Sequence, residues 1–253
     1  QKSIFLNVGN SYVLKEANSS LIFSDIEKVV IPLKTVELER DNYEDLRRMR
    51  NSNKEWLVQE KLSLPNNPKI IMWSSYDMGN KRKGFLHFIA ALKVLKNIVD
   101  RKTIDNLVLI ISGLKDDDLL KELDKLKIHY WFAGLIKDRK EYTKILSGCD
   151  IYCSTTISDA GPRTTYESAA CGTPIISYDS CNSVDFVNDS NGCLVKNKTS
   201  DEYGIAISKI ISSTQEEQES YSKEIYYSYR QLMDDKKISK KWNNFLNKTL
   251  EQK

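Results

Sequence analysis

Long apolar runs are missing from this chain. Its longest aliphatic stretch, residues 107–111, falls far short of the ~20 apolar residues that a membrane-spanning helix requires. Residues 1–23 mix polar and apolar side chains without the hydrophobic block of a signal peptide, which points to the cytoplasm. Histidine is scarce: His87 and His129 are the only two, both read as structural, and no histidine base is evident. The five cysteines, at 149, 153, 171, 181 and 193, are odd in number and include no CxxC pair. They read as small buried thiols in a reducing compartment, with no metal site implied. A surplus of one charge is also lacking, and a net charge of +3 gives no ground for nucleic-acid binding. Neither a Walker A loop nor a GxGxxG turn occurs.

What is present is an ordinary globular composition, 40% hydrophobic and 29% charged, in a chain of 253 residues. From residue 69 onward, short apolar runs alternate with amphipathic stretches. Strands are expected at 69–75, 106–112, 128–132, 150–154, 174–178 and 192–195. Helices are expected at 85–99, 117–126, 138–147 and 162–171, with a short one at 184–187. Such alternation predicts right-handed crossovers and a doubly wound α/β domain, its parallel six-stranded sheet covered by helices on both faces. Further helices are expected at 202–212, 215–233 and 239–251. Residues 1–68 differ, with one strand expected at 29–36 and a charged helix at 43–62, too little for a second core. They read as the end of a preceding domain plus a hinge.

In open parallel sheets, ligands bind beyond the carboxyl ends of the strands, where helix N-termini present free N–H groups. Two loops there carry candidate chemistry. After the fourth expected strand, Gly161 allows close backbone approach and Pro162 suits the first helical position. The amides of Gly161, Arg163 and Thr164 then face an anionic or hydroxyl-rich ligand. Asp159 and Glu167 bracket this turn, and carboxylates suit bidentate bonding to sugar or ribose hydroxyls. Structural readings stand beside the functional ones: Asp159 holding an Asx-type turn, and Glu167 pairing with Arg163 one helical turn earlier. After the first expected strand, Lys81, Arg82 and Lys83 crowd a loop that either neutralises a diphosphate or is simply solvated.

Together these stretches resemble glycosyltransferase family 4, the group 1 glycosyltransferases of GT-B fold. The resemblance rests on Arg82-Lys83-Gly84-Phe85, Phe132-Ala133-Gly134, Cys149 to Ser154, and above all residues 159–177, DAGPRTTYESAACGTPIIS. That run is close to the family's E-x7-E segment followed by its A-x-G-x-P turn, and Asn191-Gly192-Cys193-Leu194-Val195 is similar to its N-G-x-L-V strand. Two departures stand out. Asp159 replaces the first glutamate, and Ser74-Ser75 stands where many members place a phosphate-binding arginine, a role Arg82 could take over.

The resemblance implies a retaining transferase that needs no cofactor and takes a UDP- or GDP-linked sugar. Arg82 and Lys83 would meet the donor diphosphate and Asp159 the sugar. Gly161, Arg163 and Thr164 would hold sugar and phosphate through their amides, Glu167 the ribose, and Leu135 and Ile136 the base. The acceptor would be a saccharide or a lipid-linked saccharide in polysaccharide or lipopolysaccharide assembly. The implied division is 1–36 as the remnant of an acceptor domain that is otherwise missing, 37–68 as interdomain segment, 69–214 as the nucleotide-sugar domain and 215–253 as C-terminal helices. As a donor-binding half, the fragment is not expected to turn over alone. Two alternatives are a non-catalytic nucleotide-sugar-binding module and a sugar-nucleotide 2-epimerase. Lys236, Lys237, Lys240 and Lys241 are either solvated or a peripheral contact with the inner face of a membrane.

Overall fold

The computed structural model describes residues 5–34, 40–64 and 68–250. In the first of these segments, strand β1 (Phe5–Val8), helix α1 (Ser11–Asn18) and strand β2 (Glu27–Val30) form a parallel βαβ unit, with Phe5 opposite Glu27 and Val8 opposite Val30. The sequence pattern led to one strand only, at 29–36. Four-residue strands with mostly half-buried side chains leave too short an alternation for β1 to be found. Residues 35–39, which include the end of that expected strand, lie outside the described residues, as does position 251 of the last expected helix. Helix α2 (Tyr43–Trp56) continues as a π-helical turn, Leu57–Leu62, so the expected charged helix is one run that widens at its end.

The main sheet comprises β3 (Lys69–Asp77), β4 (Leu107–Leu114), β5 (His129–Gly134), β6 (Ile151–Ser154), β7 (Ile175–Tyr178) and β8 (Gly192–Val195), all parallel. Between them run α3 (Phe85–Ile98), α4 (Arg101–Asp105), α5 (Asp117–Asp124), α6 (Arg139–Gly148) and α7 (Arg163–Ala170). After them come α8 (Ser200–Ile211), α9 (Gln215–Leu232) and α10 (Asp235–Leu250). The short α4 went unforeseen, and the short helix expected at 184–187 is a 3-10 turn at Cys181–Asp185.

Strand side chains alternate, and here both alternating sets are apolar. Ile71, Trp73, Leu109, Ile111, Ile151, Cys153, Ile176 and Tyr178 join one core with side chains of α3, α5 and α8. Ile70, Met72, Ile110 and Tyr152 join another with α6 and the π-helical turn, and Ile175 packs with α7 and α9. Burial on both faces is what a parallel sheet demands, and it explains why these strands read as continuous apolar runs. The strand order is β5-β4-β3-β6-β7-β8. It reverses between β3 and β6, and in open sheets of this kind the ligand crevice lies at that switch point, beyond the carboxyl ends of the two strands.

Helix α2 is clamped to the opposite edge of the sheet. The Arg50 guanidinium donates to the Cys149 and Cys171 carbonyls at 2.9 Å each and to Thr173 Oγ1 at 2.6 Å, just ahead of β6 and β7. Beside it, Lys54 pairs with Asp150 at 2.7 Å, and Asp150 also accepts the Ile70 amide at 2.8 Å. At the other end of the chain, α10 carries the four lysines singled out above, and Lys241 donates to the Val30 carbonyl at 3.1 Å. No described helix is long and apolar enough to cross a membrane.

Truncating Arg50 strands two carbonyls near the sheet edge. Arg50→Met, which keeps most of the bulk, should cost about 3 kcal/mol, or a melting midpoint lower by about 6–12 °C. Thermal unfolding checks this, and a fall below about 2 °C would mean that these acceptors find other donors.

Candidate functional site

The crevice is walled by the loops that leave β3 and β6, residues 78–84 and 155–162, and by the start of α7. In the first loop Lys81, Arg82 and Lys83 form a 3-10 turn, with Asn80 Oδ1 accepting the Arg82 amide at 3.1 Å. Gly84 leaves the turn at φ +70°, and a Cβ built there would lie 2.1 Å from the Thr155 carbonyl oxygen. Only glycine tolerates both the left-handed backbone and that approach. Polar contacts then join the loops. The Trp73 indole donates to Thr155 Oγ1 at 2.9 Å, and the Thr155 hydroxyl lies 2.8 Å from the Gly84 carbonyl oxygen and 3.1 Å from that of Lys83. The Ile157 amide donates to the Arg82 carbonyl at 2.8 Å.

This junction brings Lys83 to Asp159. Lys83 Nζ donates to Asp159 Oδ2 at 2.6 Å, with both side chains 22% exposed. Asp159 Oδ1 accepts the Gly161 amide at 3.0 Å, so the Asx-type turn forms and the same carboxylate faces a cation. Burial pushes the Asp159 carboxyl up, but Lys83, the Gly161 amide and Arg82 outweigh it and hold it below the usual carboxylate range. Arg82 itself is exposed and enters no ion pair among the described residues.

Pro162 takes the cap position of α7, one residue earlier than its expected place as first helical residue. No side chain caps this helix. The Pro162 carbonyl is occupied, accepting Thr165 Oγ1 at 2.7 Å and Asn182 Nδ2 at 3.2 Å. The Thr165 amide also turns back to the Pro162 carbonyl, at 3.3 Å, and the dipole at this end of the helix makes the local field favourable to an anion. One turn further on, Glu167 Oε1 meets Arg163 Nε at 3.1 Å. Burial pushes the Glu167 carboxyl up, and Arg163 and Arg139 oppose this without cancelling it.

Of the nine residues singled out in the sequence, Lys83, Asp159 and Gly161 are linked by direct bonds at the switch point, Arg82 stands beside them with its side chain exposed, and Arg163, Thr164 and Glu167 follow on α7. Leu135 and Ile136 lie after β5 on the same edge of the sheet. Both are partly buried, and Ile136 packs with the core beside Trp131 and Tyr142. Where the resemblance calls for an arginine, the Ser74 hydroxyl sits 2.9 Å from that of Tyr142 and 3.1 Å from that of Tyr152, a neutral cluster. His87 is 3.1 Å from the Tyr178 hydroxyl, and His129 lies at the far edge of the sheet. Sequence reasoning missed Trp73, Thr155 and Asn10. Asn10 donates from Nδ2 to the Ala160 carbonyl, and no local motif advertises any of the three.

Sheet order and the reversal between β3 and β6 together define a doubly wound α/β domain. The profile described as "Glycosyl transferases group 1" matches residues 55–228, and the chain belongs to that family. Among solved structures, a glycosyltransferase from Rickettsia africae superposes with a TM-score of 0.74 at 18% identity, over 98% of this chain and 64% of its own. The pneumococcal O-GlcNAc transferase GtfA, in complex with UDP and GlcNAc, gives 0.66 at 19% identity, over 97% and 45%. Anabaena Alr3699/HepE, in complex with UDP and glucose, gives 0.70 at 16%, over 98% and 63%. These likenesses concern the fold, which is that of the Rossmann-like C-terminal domain of GT-B glycosyltransferases. The chain spans between 45% and 64% of the length of these three. No curated protein sequence matches it.

The two carboxylates should respond to pH with opposite signs. The Asp159 carboxyl is held below its unfolded value of ~3.9, so its contribution is complete above that value and is lost as pH falls through the folded one. The Glu167 carboxyl is raised above its unfolded value of ~4.3, so its contribution is complete below that value and is lost as pH rises through the folded one. Asp159→Asn should therefore melt about 2–4 °C below wild type near neutrality, a deficit of about 1 kcal/mol that shrinks in acid. Glu167→Gln should gain on wild type as pH rises. Melting curves across the acid range check both, and parallel behaviour of the two variants would overturn the assignment.

Proposed function

We propose that this chain is the donor-binding part of a retaining GT-B glycosyltransferase of family 4, which moves a sugar from a nucleotide diphosphate to a saccharide or lipid-linked acceptor. The observation that carries the reading is the Lys83–Asp159 pair at the switch point, flanked by the uncapped start of α7. Residues 69–214 form the nucleotide-sugar domain, 215–253 the C-terminal helices, 37–68 the interdomain segment and 1–36 part of the acceptor domain.

In this reading Arg82 and Lys83 bind the diphosphate, aided by the amides of Arg163 and Thr164. Asp159, oriented by the Gly161 amide whose bond it accepts, meets the donor sugar, Glu167 the ribose hydroxyls, and Leu135 and Ile136 the base. The bond from the anomeric carbon to the diphosphate oxygen breaks, and the acceptor oxygen bonds to the same face of that carbon. The acceptor hydroxyl gives its proton to the departing diphosphate. Negative charge accumulates on that leaving group, and Arg82, Lys83 and the α7 dipole are placed to answer it. No side-chain base is needed, which agrees with two histidines that lie in a structural contact and on a far edge. Catalysis is then charge stabilisation and positioning.

Calorimetric titration of UDP and GDP tests the reading. One nucleotide should bind better than the other, and Lys83→Ala and Glu167→Ala should each weaken it by about ten- to a hundredfold. Sugar transfer by the full-length parent would exclude the non-catalytic module, and nucleotide binding by that parent without transfer to any acceptor would favour it. Absence of binding to either nucleotide would remove the donor site.

A further inference from the structure

Asn10 belongs to no motif and lies on the β1–α1–β2 unit, yet it is bonded into the Asp159 turn. Its side chain is 3% exposed, and both ends of the amide are used. Oδ1 accepts the Val13 amide at 2.9 Å and caps α1, while Nδ2 donates to the Ala160 carbonyl. That carbonyl shares a peptide unit with the Gly161 amide, which donates to Asp159 Oδ1 at 3.0 Å. One planar peptide is thus gripped at its oxygen by Asn10 and at its nitrogen by Asp159, which fixes its rotation.

Neighbouring contacts hold the same junction. The Ser11 amide donates to Asp185 Oδ2 at 3.0 Å, and Asn182, on the same 3-10 turn as Asp185, donates to the Pro162 carbonyl. A Cβ at Gly161 would lie 3.3 Å from Asn10 Nδ2 and 3.5 Å from Asn182 Cβ, so the turn is closely walled on this side. Capping alone does not call for an amide, because serine, threonine or aspartate caps a helix as well. Asparagine adds a donor on the same short side chain.

We infer that Asn10 is a positioning residue for the donor turn. It orients the 160–161 peptide, and through that peptide the Asp159 carboxylate and the entry to α7. The inference rests on the reading of the crevice as a donor site. It extends that site to a segment with no family signature and links the seating of the βαβ unit to nucleotide affinity.

Asn10→Ser separates the two roles: its hydroxyl keeps the cap and adds no charge, but it is too short to replace the Nδ2 donor. UDP and GDP are titrated into wild type, Asn10→Ser and Asn10→Ala, with thermal midpoints and amide hydrogen exchange recorded for each. Asn10→Ser should leave the exchange of α1 unchanged, speed exchange across 158–164 and weaken nucleotide binding, the last two by roughly five- to tenfold. Asn10→Ala should in addition fray α1 and lower the midpoint. If Asn10→Ser keeps wild-type exchange in 158–164 and affinity within about twofold, Asn10 is a helix cap and the inference is wrong. Identical behaviour of the serine and alanine variants in all three readouts would also overturn it. Should wild type bind neither nucleotide, the donor reading fails, while exchange in 158–164 still decides whether Asn10 holds the turn.

Discussion

Two loops can wall one crevice only where backbone meets backbone, and in this fold that meeting is the contact of Gly84 with the Thr155 carbonyl. Everything polar at the site follows from it. The absence of a side chain at Gly84 lets the loop after β3 lie against the loop after β6. Once they touch, the Thr155 hydroxyl can bond to the carbonyls of Lys83 and Gly84, and the Ile157 amide can reach the Arg82 carbonyl. Lys83 is carried to Asp159 as a result. The Trp73 indole completes the junction from below, anchoring Thr155 to the core, where its ring meets Phe85 edge-on at 4.6 Å between centroids. The cationic loop is therefore not a mobile fringe of the sheet but an extension of its packing.

The two acidic residues on the turn are driven apart electrostatically by what surrounds them. Asp159 has a cation and an amide on its two oxygens, and its charge is favoured despite burial. Glu167 has one close arginine, and burial dominates. Tyr142 and Tyr152, bonded to Ser74, make its surroundings neutral and hydroxyl-rich where a further arginine would have made them cationic. Positive charge at the crevice is thereby concentrated on the Lys81–Lys83 turn and the start of α7.

The sheet was legible because burial on both faces turns β3 and β4 into unbroken apolar runs, and because the helices between them are amphipathic at the right spacing. All six strands were placed, and Gly192–Val195 to the residue. The site loops were legible because glycine, proline and clustered charge mark strand-to-helix turns. The small βαβ unit was not, since its strands are mostly half-buried and its packing depends on chain far away. Likewise Asn10, Trp73 and Thr155 act through contacts between segments more than 70 positions apart, which no local pattern encodes. The lone asparagine before α1 carries only the ordinary signature of a helix cap.

The contacts of that unit also order events in time. Its partners are late: Glu27 pairs with Lys248, Lys34 with Asp235, and the Phe5 ring packs edge-on against Phe245. Helix α10, which supplies them, buries none of its own residues. At ~5–20 residues per second, a ribosome needs roughly 12–48 s between making Phe5 and making Phe245. Throughout that interval the contacts that Phe5, Glu27 and Lys34 make with α10 are unmade. Helix α10 is thus a latch for the β1–α1–β2 unit, fastened only once the whole stretch of chain between them has been made.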